Sequence, residues 1–85
     1  MKKIIGIYGA SGFGREVLPL VKKQYPSADL CFIDDGVNGG QVNGQEVMSY
    51  QDFLSKTSSD KGVVIAIADS KIRERLVEKC IKDNI

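Results

Sequence analysis

The chain has 85 residues, a formal net charge of +1 and a sequence pI of about 7.7. This length allows one small domain, and the near balance of charges excludes the basic composition, with a pI above about 9, that is typical of nucleic-acid binding. The hydrophobic fraction of 42% excludes a wholly disordered chain, and no apolar run approaches the roughly 20 residues that cross a bilayer. Residues 4–10 are too short and too rich in glycine for a signal peptide, so we expect a cytoplasmic protein that does not insert into a membrane.

The first part of the chain has the pattern of a strand, a helix and a second strand. Residues 3–8 form a β-branched run that is typical of a strand buried on both faces. Residues 12–24 follow as an amphipathic helix, in which Pro19 should cause a kink or a late start because it lacks an N–H donor. The apolar face of this helix is predicted to carry Val17, Leu20 and Val21. Residues 28–33 form the second apolar strand.

A polar stretch rich in glycine follows the second strand. In it, residues 41–42 and 46–48 are expected to pair as a hairpin about Asn43-Gly44, a dipeptide that favours tight turns. Residues 50–56 have the composition of a short helix, with Ser49 as its N-cap.

The last part of the chain has the pattern of a strand and a long helix. Residues 63–68 are apolar, and residues 70–84 carry an apolar stripe at helical spacing that consists of Ile72, Leu76, Val77, Cys80 and Ile81. Strands that alternate with helices are typical of a parallel sheet with crossover helices. The predicted fold is a small Rossmann-like α/β sheet of the order β-α-β-(β)-α-β-α, forming one domain over residues 1–85, with a further strand expected beyond it.

Two cysteines and no histidine limit the chemistry of this chain. Cys31 and Cys80 lie far apart in apolar segments, which is typical of reduced thiols in a core. No metal site is expected, because the sequence has neither a C-x-x-C motif nor a histidine ligand. Since histidine is also the commonest general base, catalysis by this chain alone would need an unusual group.

The strongest local motif is a glycine-rich loop, Gly9-Ala10-Ser11-Gly12-Phe13-Gly14, between the first strand and the first helix. Glycines let the backbone approach a ligand closely, and free N–H groups at a helix start attract an anion. About twenty residues further on, Asp34 and Asp35 end the second strand, where an acidic side chain can meet the ribose of a nucleotide. The spacing G-x-x-G-x-G differs from that of standard dinucleotide binders, so a tight turn that binds nothing is the alternative.

Three further residues have both a structural and a ligand-binding interpretation. Asp69 follows the third strand at the same edge of the sheet, where it can either contact a ligand or cap the last helix. Arg73, one turn later, can reach a phosphate or a carboxylate, or lie solvated on the helix. Asp35 precedes Gly36, so it can either contact a ligand or form a turn without binding anything.

The motifs in residues 7–17, 32–35 and 64–73 together resemble the N-terminal domain of bacterial sugar acetyltransferases of the NeuD and PglD type. That family includes sialic acid O-acetyltransferases and acetyltransferases of UDP-linked amino sugars. The resemblance implies a domain that holds the nucleotide-sugar substrate, followed by a left-handed parallel β-helix that forms a homotrimer, binds acetyl-CoA and carries the catalytic histidine. It therefore implies that this chain contains no catalytic residue and is not an enzyme by itself.

The resemblance assigns the glycine loop to the substrate. It implies that the diphosphate or the sugar is lined by Gly9, Ser11, Gly12 and Gly14. Many family members have histidine at the position of Phe13, which approaches the active site in them. Phe13 can neither donate a hydrogen bond nor carry a proton, so we expect a shifted substrate.

The resemblance also assigns residues after the second and third strands. It implies that Asp34 and Asp35 hold the uracil or the ribose, and that Ala68 and Asp69 border the sugar. Many members have glycine at the position of Ala68, whose methyl group narrows the approach of a ligand.

The leading hypothesis is a UDP-sugar-binding or related sugar-binding domain of an acetyl-CoA-dependent sugar O- or N-acetyltransferase of the sialic acid O-acetyltransferase type. One alternative is the NAD(P)-binding half-domain of a reductase or epimerase, since similar glycine loops occur there. A second is a regulatory or assembly module whose pocket is filled by the Phe13 ring.

Overall fold

The computed structural model describes residues 3–10, 12–36, 39–56 and 60–85. Within these ranges, strands and helices alternate along most of the chain. In chain order the elements are β1 (Ile4–Tyr8), α1 (Gly12–Gln24), β2 (Asp29–Ile33), β3 (Gln41–Val42), β4 (Gln45–Met48), α2 (Tyr50–Leu54), β5 (Lys61–Ile65) and α3 (Ser70–Lys82).

The described strands form one sheet in the order β3-β4-β2-β1-β5. Strands β4, β2, β1 and β5 are parallel, and the short β3 pairs antiparallel with β4. The Rossmann-like α/β prediction is confirmed. Because β2 and β4 lie on one side of β1 and β5 lies on the other, the strand order reverses at β1, which creates a topological switch point between β1 and β5.

The hydrophobic core has two layers because alternate strand residues point to opposite faces of the sheet. The layer that contains α1 residues comprises Ile5, Ile7, Ala10, Leu18, Val21, Phe32, Val47 and Ala66. The layer that contains α2 and α3 residues comprises Tyr8, Cys31, Ile33, Met48, Tyr50, Phe53 and Cys80. Both cysteines are free and buried, as predicted from their apolar surroundings.

Helix α1 has the predicted bounds but differs from the prediction in the face that it buries. It begins at Gly12 and continues through Pro19 to Gln24, so a late start is not observed. Its buried face contains Leu18 and Val21, whereas Leu20, which was expected in the apolar stripe, is 67% exposed. The rotation of the helix follows from its first turn, where Gly14 lies directly on the backbone of the β1–α1 loop.

The polar stretch after β2 forms the predicted hairpin and cap. Asn43 and Gly44 have φ angles of 49° and 80°, which are those of a two-residue turn that matches the twist of a hairpin. Ser49 caps α2 by accepting a hydrogen bond from the backbone N–H of Asp52 at 3.1 Å. The parallel pairing of β4 with β2, which extends the main sheet, was not anticipated.

The last strand and helix also differ from the prediction. Strand β5 ends at Ile65, so residues 66–69 form a loop at the edge of the sheet instead of the end of a strand. In α3 only Cys80 of the predicted stripe is buried, and Ile81 is 67% exposed. The helix packs on β5, which pairs with β1 alone within the described ranges, so there is little sheet surface to cover the stripe. No helix in the described part of the chain is long and apolar enough to span a membrane.

Candidate functional site

The candidate site lies where the loops after β1, β2 and β5 meet at the carboxyl edge of the sheet. Two backbone hydrogen bonds continue the strand ladders into these loops: Gly9 N–H donates to the Ile33 carbonyl at 2.8 Å, and Ala66 N–H donates to the Tyr8 carbonyl at 2.9 Å. The glycine loop therefore lies between its two neighbours, at the switch point where open α/β sheets bind ligands.

Two glycines of the loop are required by the fold itself. Gly9 has a φ of +111°, and a Cβ there would lie 2.7 Å from the Ala66 carbonyl oxygen. A Cβ on Gly14 would overlap the carbonyl oxygen of Gly9, so the absence of a side chain lets α1 contact the end of β1. These positions explain the close packing of the β1 loop, the β5 loop and the first turn of α1.

The third glycine, Gly12, is different because nothing in the fold requires it. A Cβ at this first residue of α1 would meet no atom within 4 Å. The backbone there is open to the outside, where the unpaired N–H groups of a helix start can face an anion. The side chain of Phe13, beside Gly12, is 45% exposed. The regulatory-module alternative requires this ring to fill a pocket, and a ring that is so exposed does not do so. Ser11 lies outside the described residues.

Asp34 connects the β2 loop to the glycine loop. One oxygen of its half-buried carboxylate accepts the backbone N–H of Ala10 at 3.2 Å. The other accepts the backbone N–H of Gly36 at 2.9 Å, which closes a turn after β2. Each carboxylate oxygen thus already has a partner within the protein.

Asp35 is held on the opposite face of the sheet. Its two oxygens accept the hydroxyl of Tyr8 at 2.8 Å and the backbone N–H of Tyr50 at 2.9 Å. The bond from Tyr50 contributes most to lowering the pKa of Asp35, and the Tyr8 hydroxyl and the nearby Lys79 lower it further, while burial opposes them. Asp35 therefore does more than form a turn, because it links β1, β2 and α2.

An aromatic network, consisting of Tyr8, Tyr50, Lys79 and Asp83, extends from Asp35 to the end of α3. The two rings stack with centroids 5.6 Å apart, and Lys79 Nζ lies 4.1 Å from the Tyr50 centroid and donates to the Tyr8 hydroxyl at 3.3 Å. Tyr50 donates to Asp83 at 2.6 Å. Burial, with the neighbouring carboxylates, raises the pKa of both phenols, so both stay protonated at neutral pH. No local signal in the sequence marks these contacts, which join residues of β1, α2 and α3 to the loop after β2.

The residues after β5 lie on the other side of the glycine loop. Ala68, Asp69 and Arg73 are all exposed. Asp69 caps α3 by accepting the N–H groups of Lys71 and Ile72 at 2.9 and 3.1 Å, which confirms its capping role. The Arg73 guanidinium donates to the Ile67 carbonyl at 3.5 Å. Contacts of these residues with a ligand stay a prediction.

Two cavities, of about 570 and 560 Å³, occur in the described parts of the chain. The larger is lined by residues at the amino ends of β1 and β2, opposite the glycine loop, and the other lies beside the β3–β4 hairpin. None of the described residues of the glycine loop that follows β1 lines either cavity. The candidate site therefore lies outside both of these cavities, at the switch-point crevice between the loops that follow β2 and β5.

Comparison with known proteins assigns the chain to a defined family. The family model described as the PglD N-terminal domain matches residues 4–80. GDP-perosamine N-acetyltransferase of Escherichia coli O157:H7 is 40% identical over 83 residues, covering 92% of this chain and 38% of that protein.

Two solved structures share the fold. WeeI from Acinetobacter baumannii AYE superposes with a TM-score of 0.94 at 52% identity, over 99% of this chain and 41% of WeeI. The acetyltransferase domain of PglB from Neisseria gonorrhoeae FA1090, solved in complex with acetyl coenzyme A, gives a TM-score of 0.79 at 24% identity, over 96% of this chain and 40% of that chain, and supports the fold alone. The chain thus spans about 40% of the length of these proteins. The resemblance to the PglD type is confirmed, and the chain belongs to the PglD N-terminal domain family.

Proposed function

We propose that residues 1–85 form the nucleotide-sugar-binding domain of an acetyl-CoA-dependent sugar acetyltransferase. The observation that carries the proposal is the open backbone at Gly12, at the switch point of a fold of this family. Neither packing nor a positive φ explains this glycine, whereas the close approach of a diphosphate would. The exposed ring of Phe13 beside it offers an apolar surface for the base or the sugar.

The substrate that fits best is a nucleoside diphosphate linked to an amino sugar. The relative from Escherichia coli is named for a GDP-linked sugar and for N-acetylation, which favours a sugar nucleotide over free sialic acid. Either UDP or GDP can supply the diphosphate that the loop recognises. Ala68 and Asp69 lie across the glycine loop from Asp34, where they would border the sugar.

In the whole protein this domain would contribute binding and orientation. An amine or hydroxyl of the sugar attacks the thioester carbonyl of acetyl-CoA, the acetyl group moves to the sugar, and the thiol of CoA leaves with a proton. We expect acetyl-CoA and the catalytic base in a β-helix outside this chain, and a homotrimer of the whole protein. Holding the acceptor atom in place lowers the entropic part of the barrier.

Calorimetric titration of the purified protein with UDP, GDP, their sugar conjugates and NAD tests the proposal. The decisive variant is Gly12→Val, because its side chain enters open space and should weaken binding of the nucleoside diphosphate by about tenfold or more without lowering the melting temperature. Gly62→Ala is a matched control, since its Cβ would make only an ordinary contact, 3.7 Å from Lys3, away from the site.

The outcomes separate the hypotheses. Binding of UDP or GDP that is lost in Gly12→Val and kept in Gly62→Ala supports the proposed site. Unchanged binding in Gly12→Val would exclude the crevice as the site. Affinity for NAD without affinity for either nucleoside diphosphate would favour a nicotinamide-binding half-domain instead.

A further inference from the structure

We propose that Asp34 is a positioning residue, which shapes the glycine loop for the diphosphate through the backbone of Ala10 and makes no contact with the ribose. The inference rests on the proposed function, because it concerns the same site. It separates Asp34 from the role that an acidic residue after the second strand usually has in nucleotide-binding folds, which is to bind a ribose hydroxyl.

The hydrogen bonds at the end of β1 support this role. Gly9 N–H, the first donor after the end of β1, finds a backbone acceptor at the Ile33 carbonyl of β2. The next donor, Ala10 N–H, finds the carboxylate of Asp34 instead, at 3.2 Å. The side chain of Asp34 thus extends the β1–β2 ladder by one residue into the loop.

Burial makes this bond difficult to replace. Ala10 is 9% exposed and belongs to the core layer of α1. Without Asp34, its N–H would be left with poor access to water, and a buried donor without a partner destabilises the conformation that buries it. The loop would relieve this by moving outward, away from its present position.

A shift at Ala10 would be transmitted to the anion-binding backbone. Gly14 lies against the carbonyl of Gly9, so the conformation of residues 9 and 10 determines where the first turn of α1 begins. Gly12 is in that turn, with open space where a Cβ would lie. Loss of the Asp34 bond should therefore weaken the hold on the phosphates, while contacts with the ribose stay as they were.

A cycle of protein and ligand changes distinguishes positioning from direct contact. UDP and GDP, with their 2′-deoxy and 3′-deoxy forms, are titrated into the purified wild-type protein, Asp34→Ala and Asp34→Asn, with melting temperatures measured in parallel. Asp60→Asn is the control, because Asp60 is an exposed aspartate that pairs with Lys3 at the amino end of β5. Hydrogen exchange of the Ala10 amide reports the loop without any ligand.

Positioning predicts that Asp34→Ala lowers affinity for the diphosphate by about tenfold, the size expected for losing a charge-assisted hydrogen bond. Removing a ribose hydroxyl should then change affinity by the same factor in the variant as in the wild type. Asp34→Asn keeps one acceptor oxygen and should recover part of both the affinity and the protection of the Ala10 amide. Asp60→Asn should change neither.

Direct contact predicts the opposite pattern. If deletion of one ribose hydroxyl weakens binding to the wild type but has no effect in Asp34→Ala, the carboxylate binds that hydroxyl and the inference is wrong. Unchanged exchange of the Ala10 amide in Asp34→Ala would also overturn it. If the wild type binds neither UDP nor GDP, the proposed function itself fails, which is a different result from either of these.

Discussion

Gly14→Ala replaces one hydrogen by a methyl group, and we expect this small change to lower the free energy of unfolding substantially. The new Cβ would overlap the carbonyl oxygen of Gly9 and lie 2.9 Å from its carbonyl carbon and 3.4 Å from the Phe32 ring. Two of these atoms belong to the backbone and cannot rotate away, so α1 would have to move off β1. Alanine favours a helix over glycine by about 1 kcal/mol, and overpacking typically costs about 1–3 kcal/mol, more where no side chain can yield. We expect a net loss of about 2 kcal/mol in the free energy of unfolding.

Urea denaturation followed by circular dichroism measures this loss, and thermal melting should show a decrease of about 4–8 °C for each kcal/mol in a chain of this size. Gly12→Ala is the matched control two residues earlier in the same turn, because its Cβ would meet nothing within 4 Å. The control should be as stable as the wild type or slightly more so. If Gly14→Ala unfolds at the same urea concentration as Gly12→Ala, the close contact of α1 with the loop is wrong.

Three further predictions concern other residues. Asp35 has a lowered pKa in the folded state, so its contribution to stability is present above the unfolded value of about 4 and is lost as the pH falls below it; Asp35→Asn should flatten the dependence of unfolding free energy on pH in that range. Burial raises the pKa of Cys31 to about 11 and also raises that of Cys80, so neither thiol should react with Ellman's reagent at pH 8 until urea unfolds the protein. Phe13→Ala should weaken nucleotide-sugar binding with little change in melting temperature, whereas Leu20→Ala, at a 67% exposed position on the same helix, should alter neither.

Strands β1, β2 and β5 were predictable because each contains an apolar run, and the ends of β1 and β2 agree with the prediction, but the end of β5 does not. Residues 63–68 are apolar throughout, yet β5 ends at Ile65. The end is determined by the neighbouring strand: β1 stops at Tyr8, whose carbonyl accepts the N–H of Ala66, and beyond that point β5 has no partner on this side. Hydrophobicity does not report where the neighbouring strand ends.

The sequence pattern also did not determine which face each helix buries. In α1 the pattern predicted Leu20 on the apolar face, but Leu18 is buried and Leu20 is exposed. Contact between Gly14 and Gly9 fixes the rotation of the helix, and this contact joins two elements across a loop. In α3 the stripe is as predicted in sequence, but the sheet beneath it is too narrow to bury it.

The alternation of side chains along β2 could have predicted where Asp34 and Asp35 lie. Successive residues of a strand point to opposite faces, and Phe32 and Ile33 lie in different core layers. If that alternation continues past the end of β2, Asp34 follows Phe32 toward α1 and the glycine loop, and Asp35 follows Ile33 toward α2 and α3. The hydrogen bonds of the two carboxylates agree, since one binds Ala10 and the other binds Tyr8. The two acids thus bond to opposite layers of the sheet, and Asp34 is the one that lies beside the loop that we propose binds the diphosphate.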